Sequence, residues 1–150
     1  MGIKYRKLHG YKYELADNYC IDLAILKSLS DWVTGEYFRF SPEGCLWIKR
    51  GYAWDGASGP AIDTLTILRG SLVHDVFYQA MRMGLLDPVV WRPIADKILY
   101  DICIEDGMLR IRANWVYWAV QTFARRCSTP TGKVEASDVI LEAPPSKTGT

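Results

Sequence analysis

Apolar and polar positions alternate along the first third of the chain and recur every three or four residues along most of the rest. Tyr11 to Leu15 and Tyr19 to Leu23 alternate, and Asp17-Asn18 between them is turn chemistry, so a hairpin is predicted there. Gly35 to Phe40 and Cys45 to Tyr52 are rich in aromatic and β-branched residues and flank Ser41-Pro42-Glu43-Gly44, a second turn signal. The first third is expected to form a small antiparallel sheet. Asp55 to Asp63 carries glycine, proline and small polar residues and suits a tight loop. After it Leu65, Leu68, Leu72, Val76 and Ala80 fall at helical spacing, predicting a helix that ends near Gly84. Asp87-Pro88 opens a second helix with Ile94, Ile98, Ile102 and Cys103 as its stripe up to Asp106-Gly107. A third follows from about Arg110, with Trp115, Trp118, Ala119, Thr122 and Phe123 at helical spacing.

The pattern predicts an α+β fold: an N-terminal antiparallel β-sheet followed by about three α-helices. With 150 residues, 49% of them hydrophobic, the chain has the size of one domain able to bury a core. Residues 1–127 are read as that domain. Residues 128–150, rich in Ser, Thr, Pro and Gly at their start and carrying Ala143-Pro144-Pro145-Ser146, are read as an extended or mobile tail.

A net charge of +1 and the lack of a broad basic stripe argue against nucleic acid as a partner. No apolar run reaches the roughly 20 residues that span a bilayer, and no signal-peptide layout is expected at the N-terminus. Cys20, Cys45, Cys103 and Cys127 form no C-x-x-C pair and are read as small buried thiols.

Chemistry concentrates at His74-Asp75-x-x-Tyr78. His9 lies in a basic, aromatic stretch, so an imidazole mechanism has to use His74. On a helix His74 and Tyr78 share a face while Asp75 points elsewhere. An antiparallel second helix brings Asp96 or Asp101 against His74 as the carboxylate that fixes an imidazole tautomer. Asp75, with Asp55 and the carbonyls of the loop through Pro60, offers the oxygen ligands calcium prefers. A cation there would polarise an ester carbonyl.

The order Asp55-Gly56-x-Ser58, then His74-Asp75-x-x-Tyr78, then a helix with Asp96 and Asp101 followed by Met108, resembles prokaryotic and fungal secreted phospholipase A₂ over roughly residues 52–106. The resemblance implies a phospholipase-A₂-like helical pair. It makes His74 the general base, Asp75 the calcium ligand, Asp96 the foremost partner of His74 and Tyr78 a supporting hydrogen-bond donor. Those enzymes flank the motif with disulfide-forming cysteines, where this chain has Ala57 and Leu72-Val73. The stretch from Trp54 to Ser58, with His74-Asp75, Tyr78 and Ala95-Asp96-Lys97, is also similar to an uncharacterised family of phage and prophage proteins. That similarity implies a viral origin, in the host cytoplasm or the virion, and assigns no activity.

Three functions compete. One is a calcium-dependent hydrolase acting on phospholipid or another ester, with Gly56, Ser58 and Asp101 lining the site. Another is a virion or tail-associated structural protein whose partners are other phage proteins and for which the polar cluster is scaffold. The third is a host-interaction, anti-defence protein using the same cleft. Trp115 and Trp118 are read as core rather than a lipid surface, and the lack of an exposed amphipathic segment counts against an interfacial enzyme.

Overall fold

The computed structural model describes residues 2–9, 13–56 and 64–123, and the backbone of a strand at 136–142. Strands β1 (Lys4–Leu8), β2 (Tyr13–Leu15), β3 (Tyr19–Asp22), β4 (Val33–Thr34), β5 (Phe38–Phe40), β6 (Cys45–Ile48) and β7 (Ala53–Trp54) precede helices α1 (Leu65–Arg82), α2 (Pro88–Glu105) and α3 (Arg110–Phe123), and β8 (Ala136–Glu142) follows. The architecture is the α+β arrangement expected, with antiparallel β-structure ahead of three helices.

The strands divide into two four-stranded sheets, ordered β7-β2-β1-β8 and β3-β6-β5-β4. The predicted hairpin between the second and third strands is therefore corrected. β2 pairs with β1 and β7, whereas β3 pairs with β6. The reason is local: Leu15 exchanges backbone hydrogen bonds with Tyr52 and Gly51, and Asn18 accepts from the Arg50 amide, so Ala16 to Asn18 carries the chain from one sheet to the other. The turn at Ser41–Gly44 does close a hairpin, β5 against β6, with Gly44 at a positive φ of 104°. In the tail, Ala136–Glu142 pairs antiparallel with β1, so part of the stretch read as extended or mobile is a fourth strand. The rest of 128–150 lies outside the described residues.

Cys20 and Cys45, read from sequence as buried thiols, are joined as a disulfide across β3 and β6. Cys103 fits the expectation of a buried thiol, its pKa pushed up to about 12 by burial. Cys127 lies outside the described residues.

Alternation in β5 and β6 sends Phe38, Phe40, Leu46 and Ile48 inward, where Phe40 meets Phe77 of α1 at 4.9 Å between ring centroids. Phe77 stacks in turn on Trp91 of α2, so one apolar column joins sheet, α1 and α2. α2 starts where Asp87 accepts from the Val89 amide and Pro88 occupies the first turn. Both α1 and α2 end on a glycine with positive φ, Gly84 and Gly107, and the next amide reaches back to Ala80 or Cys103 in the Schellman manner. The short loops that result lay the helices antiparallel, one against the next.

Candidate functional site

α1 and α2 make the most extensive helix contact, and they put His74 and Tyr78 of α1 opposite Asp96 of α2. The His74 Nε2 to Asp96 Oδ1 distance is 2.8 Å, and the Tyr78 hydroxyl donates to the same oxygen over 2.9 Å. His74 is 7% exposed and Asp96 2%. A carboxylate only accepts, so Nε2 carries the proton and Nδ1 holds the lone pair in the neutral ring. The two aromatic side chains lie 4.2 Å apart between centroids, which packs the imidazole on the phenol and fixes its plane.

Nδ1 faces Asp75, whose Oδ1 is 3.9 Å away. That is too long for a hydrogen bond, so Asp75 acts on the ring through its charge. The sequence places Asp75 on another side of the helix, but the carboxylate turns back toward the imidazole. Burial lowers the His74 pKa, yet Asp75 and Asp96 outweigh it and the net shift is upward. The Tyr78 phenol is held protonated by burial and by the Asp96 charge, with Arg92 opposing.

Asp101, the other candidate partner, does not line this site. It lies on an exposed face of α2 and pairs with Lys97 one turn back. Five residues beyond Asp96 it is rotated by about 140° at 100° per residue, so one helix cannot present both carboxylates to His74. The choice left open by sequence falls on Asp96.

The loop after β7 begins beside this face. Trp54 Nε1 donates to Ser71 Oγ at 3.1 Å, one turn before His74 and Asp75, and Ser71 donates on to the Leu68 carbonyl. Asp55 is exposed and Gly56 is buried with φ of 74°. Ser58, the loop carbonyls through Pro60 and Asp63 lie outside the described residues. Calcium takes six to eight oxygens. The Asp75 carboxylate, half-buried beside His74, is one such oxygen donor, and Asp55 stands exposed at the head of the loop after β7. Among the described residues, the side chains of Cys20, Asp22 and Cys45 gather closely enough for a metal, but the two sulfurs are already bonded to each other.

Sequence reasoning missed a second buried polar group. Arg69 of α1, 5% exposed, donates from Nε and Nη2 to Asp106 at 2.7 to 3.0 Å, from Nη2 to Glu105 at 2.5 Å and from Nη1 to the Tyr19 hydroxyl at 3.3 Å. It ties α1 to the C-terminal end of α2 and to β3. Its signal in the sequence was an arginine inside the apolar stripe, next to Leu68.

The aromatic pair of α3 also requires correction. Trp115 and Trp118 are exposed, and the inward residues of that helix are Ala113, Val116, Ala119 and Val120. No family model, curated protein or solved structure matches the chain.

Proposed function

We propose that this protein is a hydrolase of ester bonds, calcium-dependent and of phospholipase-A₂-like type, in which His74 activates water. The observation that carries the reading is the buried His74–Asp96–Tyr78 group. Asp96 takes hydrogen bonds from two side chains of α1 through one oxygen, which leaves Nδ1, on the Asp75 side of the ring, as the basic atom.

Water bound at Nδ1 gives its proton to the imidazole as its oxygen attacks the ester carbonyl carbon. The Asp96 carboxylate stabilises the imidazolium that forms, without itself taking the proton. Collapse of the tetrahedral oxyanion breaks the bond to the alcohol oxygen, and His74 returns the proton to that leaving group. The products are a carboxylic acid and an alcohol. Tyr78 holds Asp96 in place from the second side. Calcium held by Asp75, Asp55 and the loop backbone would polarise the carbonyl and neutralise the oxyanion.

A second reading, a scaffold for a virion or host-interaction protein, is favoured by one observation: His74 is almost fully enclosed and its free nitrogen faces a carboxylate. Calorimetric titration of calcium into metal-free protein, beside Asp75→Asn, separates the two. The hydrolase reading expects binding that the variant loses. Absence of heat at millimolar calcium would overturn the calcium-dependent mechanism and put the scaffold first.

A further inference from the structure

Helix α3 has two apolar faces. Ala113, Val116 and Val120 pack inward with Leu99, Cys103 and Met108. On the other side Ile111, Trp115 and Trp118 fall within about 60° of one another at 100° per residue. They are 86%, 40% and 55% exposed, and Leu109 just ahead of the helix is 78% exposed. Scattered apolar residues are ordinary on a surface, but a contiguous stripe of this kind marks an interaction site.

Charge indicates what the stripe meets. Arg110 and Arg112 stand about 100° to either side of Ile111, flanking the stripe. From Met108 to Lys133 the sequence carries Arg110, Arg112, Arg125, Arg126 and Lys133 and no Asp or Glu, in a chain whose net charge is only +1. An aliphatic and indole stripe edged by arginines, within an acid-free stretch, is the composition of a helix that lies in the plane of a negatively charged lipid surface.

We propose that α3 docks the protein on anionic phospholipid. The helix lies parallel to the surface, Leu109, Ile111, Trp115 and Trp118 enter the boundary between headgroups and acyl chains, and the exposed Arg110 reaches the phosphates. Nucleic acid would satisfy the arginines but gain little from Leu109 and Ile111. Two copies of α3 face to face would set like-charged flanks against each other. The docking belongs to α3 and stands apart from the hydrolase reading, although it supplies the interfacial contact that a lipid-directed hydrolase needs.

The test is co-sedimentation of the full chain with phosphatidylglycerol vesicles, alongside phosphatidylcholine vesicles and duplex DNA. Binding to phosphatidylglycerol is expected, weaker on phosphatidylcholine and reduced by salt. The doubly substituted Ile111→Ser, Trp115→Ser protein is expected to lose roughly tenfold or more in vesicle affinity. Arg110→Glu, which touches no packed side and keeps the test valid if the double variant folds poorly, is expected to lose about tenfold on phosphatidylglycerol alone. His74→Gln binds as the wild type does, so an inactive hydrolase site leaves this result intact. The proposal is overturned if the wild type ignores phosphatidylglycerol, if Arg110→Glu binds unchanged, if DNA is preferred, or if the protein elutes as a dimer that the Ile111 and Trp115 substitutions dissolve.

Discussion

Asp96 is the residue on which the site turns, because it is buried and one of its oxygens serves both His74 and Tyr78. Asp96→Ala strands a buried imidazole and is expected to cost about 3 kcal/mol or more in urea unfolding. Tyr78→Phe deletes one donor to a charged acceptor and is expected to cost about 1.5 kcal/mol. Equal losses from the two would contradict the shared-acceptor geometry. The His74 pKa is raised in the folded protein above its ordinary 6.5. The folded state therefore holds the proton more tightly than the unfolded chain does. The stability this contributes is full below pH 6.5 and is lost as pH rises through the folded value. Thermal unfolding should show the wild type weakening from mildly acid to mildly alkaline solution by more than His74→Gln does; parallel profiles would contradict it. The partnership was legible in the sequence because Asp96 sits between Ala95 and Ile98 on the apolar side of its helix. The turn of Asp75 back toward the ring was not, since backbone periodicity sets only where a side chain starts.

The two helices that carry the site meet at Gly70. A Cβ there would stand 2.9 Å from Leu99 Cδ1, 3.2 Å from the Leu99 carbonyl oxygen and 3.3 Å from Cys103 Sγ. Alanine is the better helix former by about 1 kcal/mol, but overpacking against a backbone oxygen costs about 1 to 3 kcal/mol. Gly70→Ala is therefore expected to destabilise the protein in urea unfolding, and a neutral or stabilising result would mean that the helices are not this close. Helix existence and ends were readable from apolar spacing and from Asp87-Pro88, Gly84 and Gly107. Strand pairing was not. The turn signal at Asp17-Asn18 is real, but it moves the chain between sheets, because Leu15 is already bonded to Tyr52 and Gly51. Helical spacing likewise found the stripe of α3 without saying which of its two apolar faces is inside. Small Ala113 and the valines allow close approach to α2, and that leaves the larger indoles outside.

At the scale of the molecule, the two antiparallel sheets, α1 and one side of α2 form one apolar core, and α3 closes a second cluster with Ile67, Leu99 and Cys103. Arg69 locks the arrangement by joining α1, the end of α2 and β3 through Asp106, Glu105 and Tyr19. The α+β class followed from the change of hydrophobic period along the chain. The division into two sheets, the cross-strand disulfide and the return of 136–142 to β1 depend on contacts between residues far apart in sequence, which local pattern does not encode. What the assembly does rests on whether His74 moves a proton or only holds a helix pair together. Fatty-acid release from phosphatidylglycerol vesicles, followed with calcium present for the wild type and for a folded His74→Gln variant, decides this most directly. Release by the wild type and a loss of at least about a hundredfold in the variant are expected; release that is absent from both, or equal in both, would mean that His74 moves no proton in turnover.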